Sequence, residues 1–303
     1  MSGSTLLALG TGATLLIAFS KWERHTPVPM LDMALFRDRR FGVSSLGMTL
    51  VFVVLFGFFF ISIQYFQLVL GYGPFESGLR ILPFMPAMII MSLLSPRLVV
   101  RFGARVVIGI GMLLTSIGVL MFSRLQIDSS YGDVLTGMFV MTTGMGLTSS
   151  PMTNLIMSSV PRHRAGMGSA MNDTTRELGT TLGVAIFGSL LASAYTGNLP
   201  ANISLMPDQA REAVTGSLGG ALYVSEQLGG ESGAGLAFAA RTAWMEGVHL
   251  AFLVGAGILL VAAIISFLFL DGRARSAAAV EDEPRPVAAD ALFREGAAGH
   301  SSL

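Results

Sequence analysis

Apolar residues in this chain run in long stretches with the charges gathered between them. Residues 1–20 carry no charge, and further uncharged windows fall at 41–75, 81–96, 106–123, 134–161, 178–207 and 247–270. About 20 mostly apolar residues are needed for a helix to cross the hydrocarbon core of a bilayer. The windows therefore predict seven transmembrane helices, over 3–20, 43–69, 78–98, 104–123, 132–158, 168–194 and 247–270. The third is short of uncharged length, and Arg80 and Arg97 are placed to snorkel from its ends. The first lacks a basic stretch ahead of its apolar run, because Lys21 to Arg24 follow it. It therefore reads as a spanning helix, or the surviving end of a longer one, and not as a secretory signal. The expected fold class is all-α, a polytopic membrane helix bundle of about seven transmembrane helices.

The connections add a direction. Lys21, Arg24, Arg37, Arg39, Arg40, Arg97, Arg101, Arg105, Arg162, Arg164, Arg176 and the four arginines after residue 270 make fifteen of the nineteen basic residues, all on one alternating set of connections. The other set holds Arg80, Arg124, Arg211 and Arg241. Lys and Arg accumulate in cytoplasmic loops. The expected orientation is then an external N-terminus and a cytoplasmic C-terminus in a plasma (inner) membrane. The expected layout is an isolated first helix at 1–20, a cytoplasmic connector at 21–42, a six-helix domain at 43–270 and a disordered cytoplasmic tail at 271–303. Within the domain, 195–246 forms one long outside segment, with helix-compatible pieces near 208–228 and 233–243, that caps the surface or re-enters it without crossing. In the connector, the run from Met30 to Arg37 suits an amphipathic stretch lying on the membrane face.

Composition narrows the function. Only 13% of residues are charged, against about 25% in soluble domains, so much of the surface faces lipid. The net charge of zero gives no footing for nucleic acid, whose backbone demands an excess of Lys and Arg. The absence of Cys removes disulfides, thiolate metal sites and cysteine nucleophiles. The four His residues form no metal-binding spacing, and no nucleophile–base arrangement is present. No metal, cofactor or enzymatic reaction is expected.

Polar residues within membrane segments are the candidates for function, because hydrocarbon cannot solvate them. Asn172, Asp173, Arg176 and Glu177 lie near the inner end of the sixth predicted helix, with Asp173 spaced to pair with Arg176. They make either an interfacial charge cluster or a relay lining a cavity. Gly179, Gly183 and Gly188 behind them suit close helix packing. Gln64 and Gln67 sit three apart near the outer end of the second helix, where their amides can bond across the bundle or to a solute. Tyr65 and Tyr72 read as interface-belt residues, and Glu76 and Arg80 as an i,i+4 ion pair. Pro83 and Pro86 in the third helix and Pro151 in the fifth are expected to kink them; bent helices are frequent where transporters bind and rock.

The segment from Gly168 to Ser189, with Asn172, Asp173, Arg176, Gly179 and Gly183, resembles the major facilitator superfamily, in particular the fourteen-helix drug:proton antiporters of the EmrB/QacA type. Three other stretches are similar to the same group: Tyr65 to Pro83, Pro161 to Gly168, and Glu23 to Arg40. The resemblance covers residues 1 to about 270. It implies that the seven helices are the eighth to fourteenth of the family, with 43–270 as the C-terminal six-helix domain. The N-terminal six-helix domain is then expected on a separate segment or chain. The stretch from Leu94 to Arg105 resembles the family's gating loop through Arg97, Arg101, Gly103 and Arg105, with Val99 and Val100 where an acidic residue is usual. The implied function is proton-coupled efflux of hydrophobic or cationic small molecules, with the lipid bilayer, protons and such solutes as partners. The alternative is a truncated or accessory membrane fragment without transport of its own.

Overall fold

The computed structural model describes residues 3–25, 33–161 and 164–270. The expected tail and residues 26–32 of the connector lie outside the described residues. Every regular element among the described residues is helical. After α1 (Gly3–His25) come α2 (Arg39–Gln64), α3 (Pro74–Ile81), α4 (Phe84–Phe102), α5 (Ala104–Phe122), α6 (Tyr131–Ser158), α7 (Ala165–Asn198), α8 (Asp208–Gly216), α9 (Leu218–Leu228) and α10 (Gly230–Phe269).

Local chemistry sets the boundaries. Asp38 caps α2 by accepting the Arg40 amide at 2.8 Å. α2 runs on into a single π turn, Tyr65–Val69, closed by the Leu70 amide on the Tyr65 carbonyl at 3.0 Å. Pro74 opens α3, where its missing N–H costs nothing. α6 starts with a capping box in which Asp133 accepts the Ser130 amide at 3.0 Å and the Asp133 amide donates to Ser130 Oγ.

Five stretches are long and apolar enough to cross a membrane: Arg39–Val69, Pro74–Phe102, Ala104–Phe122, Ala165–Asn198 and Gly230–Phe269. Two of the seven expected spans fall short on that measure. In α1 the apolar run Gly10–Phe19 is short. α6 has the length, but its Thr, Ser, Gly and Asn residues lower its hydropathy; it packs against α2, α4, α5 and α7. Several of its hydroxyls are satisfied within the helix, as with Thr148 on the Gly144 carbonyl at 2.9 Å.

α2, α4, α5, α6, α7 and α10 form the bundle, with α2 against α7, α5 against α6 and α10, and α4 against α6. Phe58, Phe122, Phe187 and Phe252 join α2, α5, α7 and α10 at its centre, with Phe58 and Phe122 rings 4.7 Å apart and Phe122 and Phe252 5.6 Å apart. Met48, Met112, Met138, Met141 and Met145 belong to the same core and are fully buried, their unbranched side chains suited to irregular gaps. Several interfaces need glycine. A Cβ on Gly179 would lie 2.5 Å from the Thr49 carbonyl oxygen of α2, and one on Gly118 of α5 would lie 2.6 Å from the Met141 Cα of α6. Leu93 on α4 and Leu253 and Leu268 on α10 stay exposed, the arrangement that lipid rewards.

Two helices outrun their expected limits. α7 extends to Asn198, and α10 starts at Gly230 where 247 was expected. The helix-compatible piece at 233–243 is continuous with the last span: Gly233, Leu236, Ala240, Ala243 and Gly247 are buried at helical spacing, and α10 packs on α9. At 1.5 Å per residue, α7 and α10 are roughly 50 and 60 Å long, against a hydrocarbon core of about 30 Å. Both therefore project beyond it. Between them in the chain come the short turn Ala201–Leu205, α8 and α9, with α9 packed on α8 and α10. Tyr195 of α7 ties this segment down by donating its phenol to the Val214 carbonyl at 2.8 Å.

Candidate functional site

The charged segment of α7 is held by its small-residue face. Gly179 and Gly183 rest on the α2 backbone, and Thr49 Oγ1 donates to the Thr175 carbonyl at 3.1 Å across the same contact. This fixes which side of α7 is covered. Asn172 and Thr175 are buried, Arg176 is half-buried, and Asp173 and Glu177 are exposed. With Thr181, the two carboxylates form an exposed stripe at four-residue spacing.

Arg176 does not pair with Asp173. Its Nη2 donates to Thr153 Oγ1 of α6 at 3.1 Å, and its Cζ sits 5.4 Å from the centre of the Phe52 ring of α2. The guanidinium stem runs toward α2 and α6 while Asp173 points to the open side, so the i,i+3 relation does not bring the charges together. Among the described residues the ion pairs are Arg80–Glu76 at 2.7 Å, as the spacing implied, and Arg211–Asp208 at 2.6 Å. Asn172 Oδ1, Arg176 Nε and Ser149 Oγ of α6 are buried without a hydrogen-bond partner.

Gln64 and Gln67 are not brought together as a bonding pair. Gln64 Nε2 turns back to the Phe60 carbonyl of its own helix at 3.1 Å, and Gln67 is half-buried inside the π turn. Tyr65, expected at the membrane interface, is buried, and its phenol donates to the Gln126 carbonyl at 2.9 Å. Arg97 and Arg101 lie on the final turns of α4 and Arg105 on the first turn of α5, all exposed. Gly103 between them takes φ +84° and ψ 152°, a conformation open essentially to glycine alone.

The prolines divide. Pro83 falls in the break that divides the apolar stretch Pro74–Phe102 into α3 and α4, and Pro86 is in the first turn of α4. At a helix start the missing N–H is free of cost. Pro151 is inside α6 as expected, and Pro96 is a further proline inside α4.

The chain carries polar links that the sequence did not reveal, all at the end opposite Arg101 and Arg105. Arg241 Nε of α10 donates to the Leu68 carbonyl of the π turn at 3.1 Å. The His249 ring, well inside α10 and not at its start, meets the Leu125 carbonyl at 2.6 Å. Arg80 lies 3.7 Å from the Tyr72 ring centre and 5.0 Å from that of Tyr131. No group of three His, Cys, Asp or Glu suited to a metal occurs among the described residues.

A model of the Major Facilitator Superfamily matches residues 5–184. The chain belongs to that superfamily. Membership sets it among membrane transport proteins and not among enzymes. It is 36% identical over 214 residues to the multidrug resistance protein Stp of Mycobacterium tuberculosis, a match covering 70% of this chain and 40% of Stp. It is 28% identical over 265 residues to the multidrug efflux pump LfrA of Mycolicibacterium smegmatis, covering 88% of this chain and 52% of LfrA. The crystal structure of a bacterial homolog of the human lysosomal transporter Spinster, inward-facing and unoccupied, shares the fold. Its TM-score is 0.60 at 21% identity, over 82% of this chain and 52% of that one. The chain thus spans about half the length of the relatives it matches, and it is a helical bundle of the superfamily's architecture in an integral membrane protein.

Proposed function

We propose that this chain is the C-terminal half of a proton-coupled exporter of hydrophobic or cationic small molecules, of the fourteen-helix group. It sits in the plasma membrane with the Arg101–Arg105 end cytoplasmic. The observation that carries this reading is the stripe of Asp173, Glu177 and Thr181 on α7, exposed and outside any ion pair among the described residues. From the first residue of α7, Asp173 and Glu177 lie roughly 12 and 18 Å along the axis. On an apolar span a carboxylate is costly against lipid and marks a water-lined path. Such carboxylates attract cations and can exchange protons, while Arg176, on the covered side, holds α6 and α2 in place beneath them. The complementary half closes the other wall of the path, and the two halves rock about it.

A second reading, which the length comparison also allows, is an accessory membrane fragment that takes no part in transport. Dye efflux sensitive to a protonophore separates the two. Efflux from cells carrying this chain alone supports autonomous transport. Efflux only when an N-terminal half is supplied supports the half-transporter. Absence of efflux in both, with the chain verified in the membrane, sinks the transporter reading. In the active assembly, Glu177→Gln that leaves proton coupling intact removes Glu177 from the path.

A further inference from the structure

We propose that Tyr72, Tyr131 and Glu76 form a binding site for planar organic cations, and that Arg80 is a tethered competitor seated in it. The site rests on the reading above in taking such cations as the transported class. Its occupant shows what it accepts. The guanidinium is a flat, delocalised, weakly hydrated cation. It lies 3.7 Å from the face of Tyr72 and 5.0 Å from that of Tyr131, with Glu76 Oε1 at 2.7 Å from Nη2. Two π faces and a carboxylate around one cation are the chemistry by which proteins bind organic cations.

The aromatic walls do not depend on the occupant. The Tyr131 phenol donates to the backbone carbonyl of Arg80, at 2.9 Å, and not to its side chain. Tyr72 is set by its own amide on the Phe66 carbonyl at 2.9 Å, after the turn at Gly71 with φ +72°. Glu76 is in the first turn of α3. When the Arg80 side chain swings away, the Tyr131 phenol keeps its main-chain bond, the Tyr72 ring keeps its contact with the Phe66 ring at 6.2 Å, and Glu76, whose hydrogen-bond partner is Arg80, is freed to meet the arriving cation. The site is reachable from solvent, because the Arg80 and Glu76 side chains are 29% and 47% exposed. It lies at the end read as external. A cation arriving there displaces Arg80, and the return of Arg80 drives the cation out, which gives an exporter a weak discharge site.

The test uses the purified full chain in nanodiscs with N-methylpyridinium chloride as probe, its affinity read by saturation-transfer NMR against empty nanodiscs. Arg80→Gln, or Arg80→Met as a parallel variant, empties the site and should tighten binding about tenfold over the native chain, equivalent to about 1.4 kcal/mol. Arg80→Gln combined with Tyr72→Leu should lose that gain. The proposal is overturned if both Arg80 variants bind the probe no better than the native chain, or if the gain survives Tyr72→Leu. Binding is measured without transport, so its failure beside positive efflux would remove this site alone.

Discussion

Replacing Gly179 with alanine puts a methyl group where α2 and α7 touch. The new Cβ would lie 2.5 Å from the Thr49 carbonyl oxygen and 2.6 Å from Phe52 Cβ, against 3.4 Å for ordinary contact, so the helices must part by up to 0.9 Å. The obstacles are a backbone carbonyl and a Cβ, neither of which can rotate aside. Parting also stretches the bond from Thr49 Oγ1 to the Thr175 carbonyl, now 3.1 Å, beyond useful range. Overpacking costs about 1–3 kcal/mol, and a lost interhelical bond in a membrane protein about 0.6 kcal/mol. Alanine returns about 0.5–1 kcal/mol of helix preference. The net expectation is destabilisation of about 1–3 kcal/mol. Gly257→Ala in α10 is the matched control, since nothing lies within 4 Å of a Cβ there, and it should stabilise by up to about 1 kcal/mol. Equilibrium unfolding in SDS-containing mixed micelles, followed through the buried Trp244, reads both. If Gly179→Ala is as stable as the native protein, or both variants shift in the same direction, the close contact of α2 and α7 is wrong.

Phe252→Ala removes the ring shared by α2, α5 and α7 at the centre of the bundle and should cost about 3–5 kcal/mol in the same unfolding assay. Ser130→Ala breaks the capping box of α6 and should cost about 1 kcal/mol, rescued in part by Ser130→Asn. Gly103→Ala forces a side chain onto φ +84° and should cost about 1–3 kcal/mol.

Elements whose signal is local were legible in the sequence. The uncharged windows found α2, α5 and the membrane part of α10. The i,i+4 spacing found Glu76–Arg80, and the small-residue spacing found the packing face of α7. What was missed depends on partners far along the chain. Tyr65 looked interfacial because nothing near it shows that the Gln126 carbonyl waits for its phenol, 61 residues on. Tyr131 joins Arg80 across 51 residues. Arg176 chose Thr153 and Phe52 over its neighbour Asp173 for the same reason: the packing of α6 and α2 decides where its stem runs. The start of α10 was hidden for another cause. The piece at 233–243 reads as helix-compatible, but Arg241 and Glu246 separate it from the apolar window at 247–270, so its continuity with that span does not show. The π turn at Tyr65–Val69 leaves no mark in an apolar sequence.

The central claim is that the open face of α7 borders water within the membrane. The chain contains no cysteine, so single cysteines can be placed at Glu177, at Thr181 and, as a lipid-facing control, at Leu260 of α10, with labelling by a membrane-impermeant cationic thiol reagent in vesicles exposing either side. The account predicts rapid labelling at 177 and 181 and very little at 260. Labelling at 177 and 181 as slow as at 260, from both sides, would contradict it.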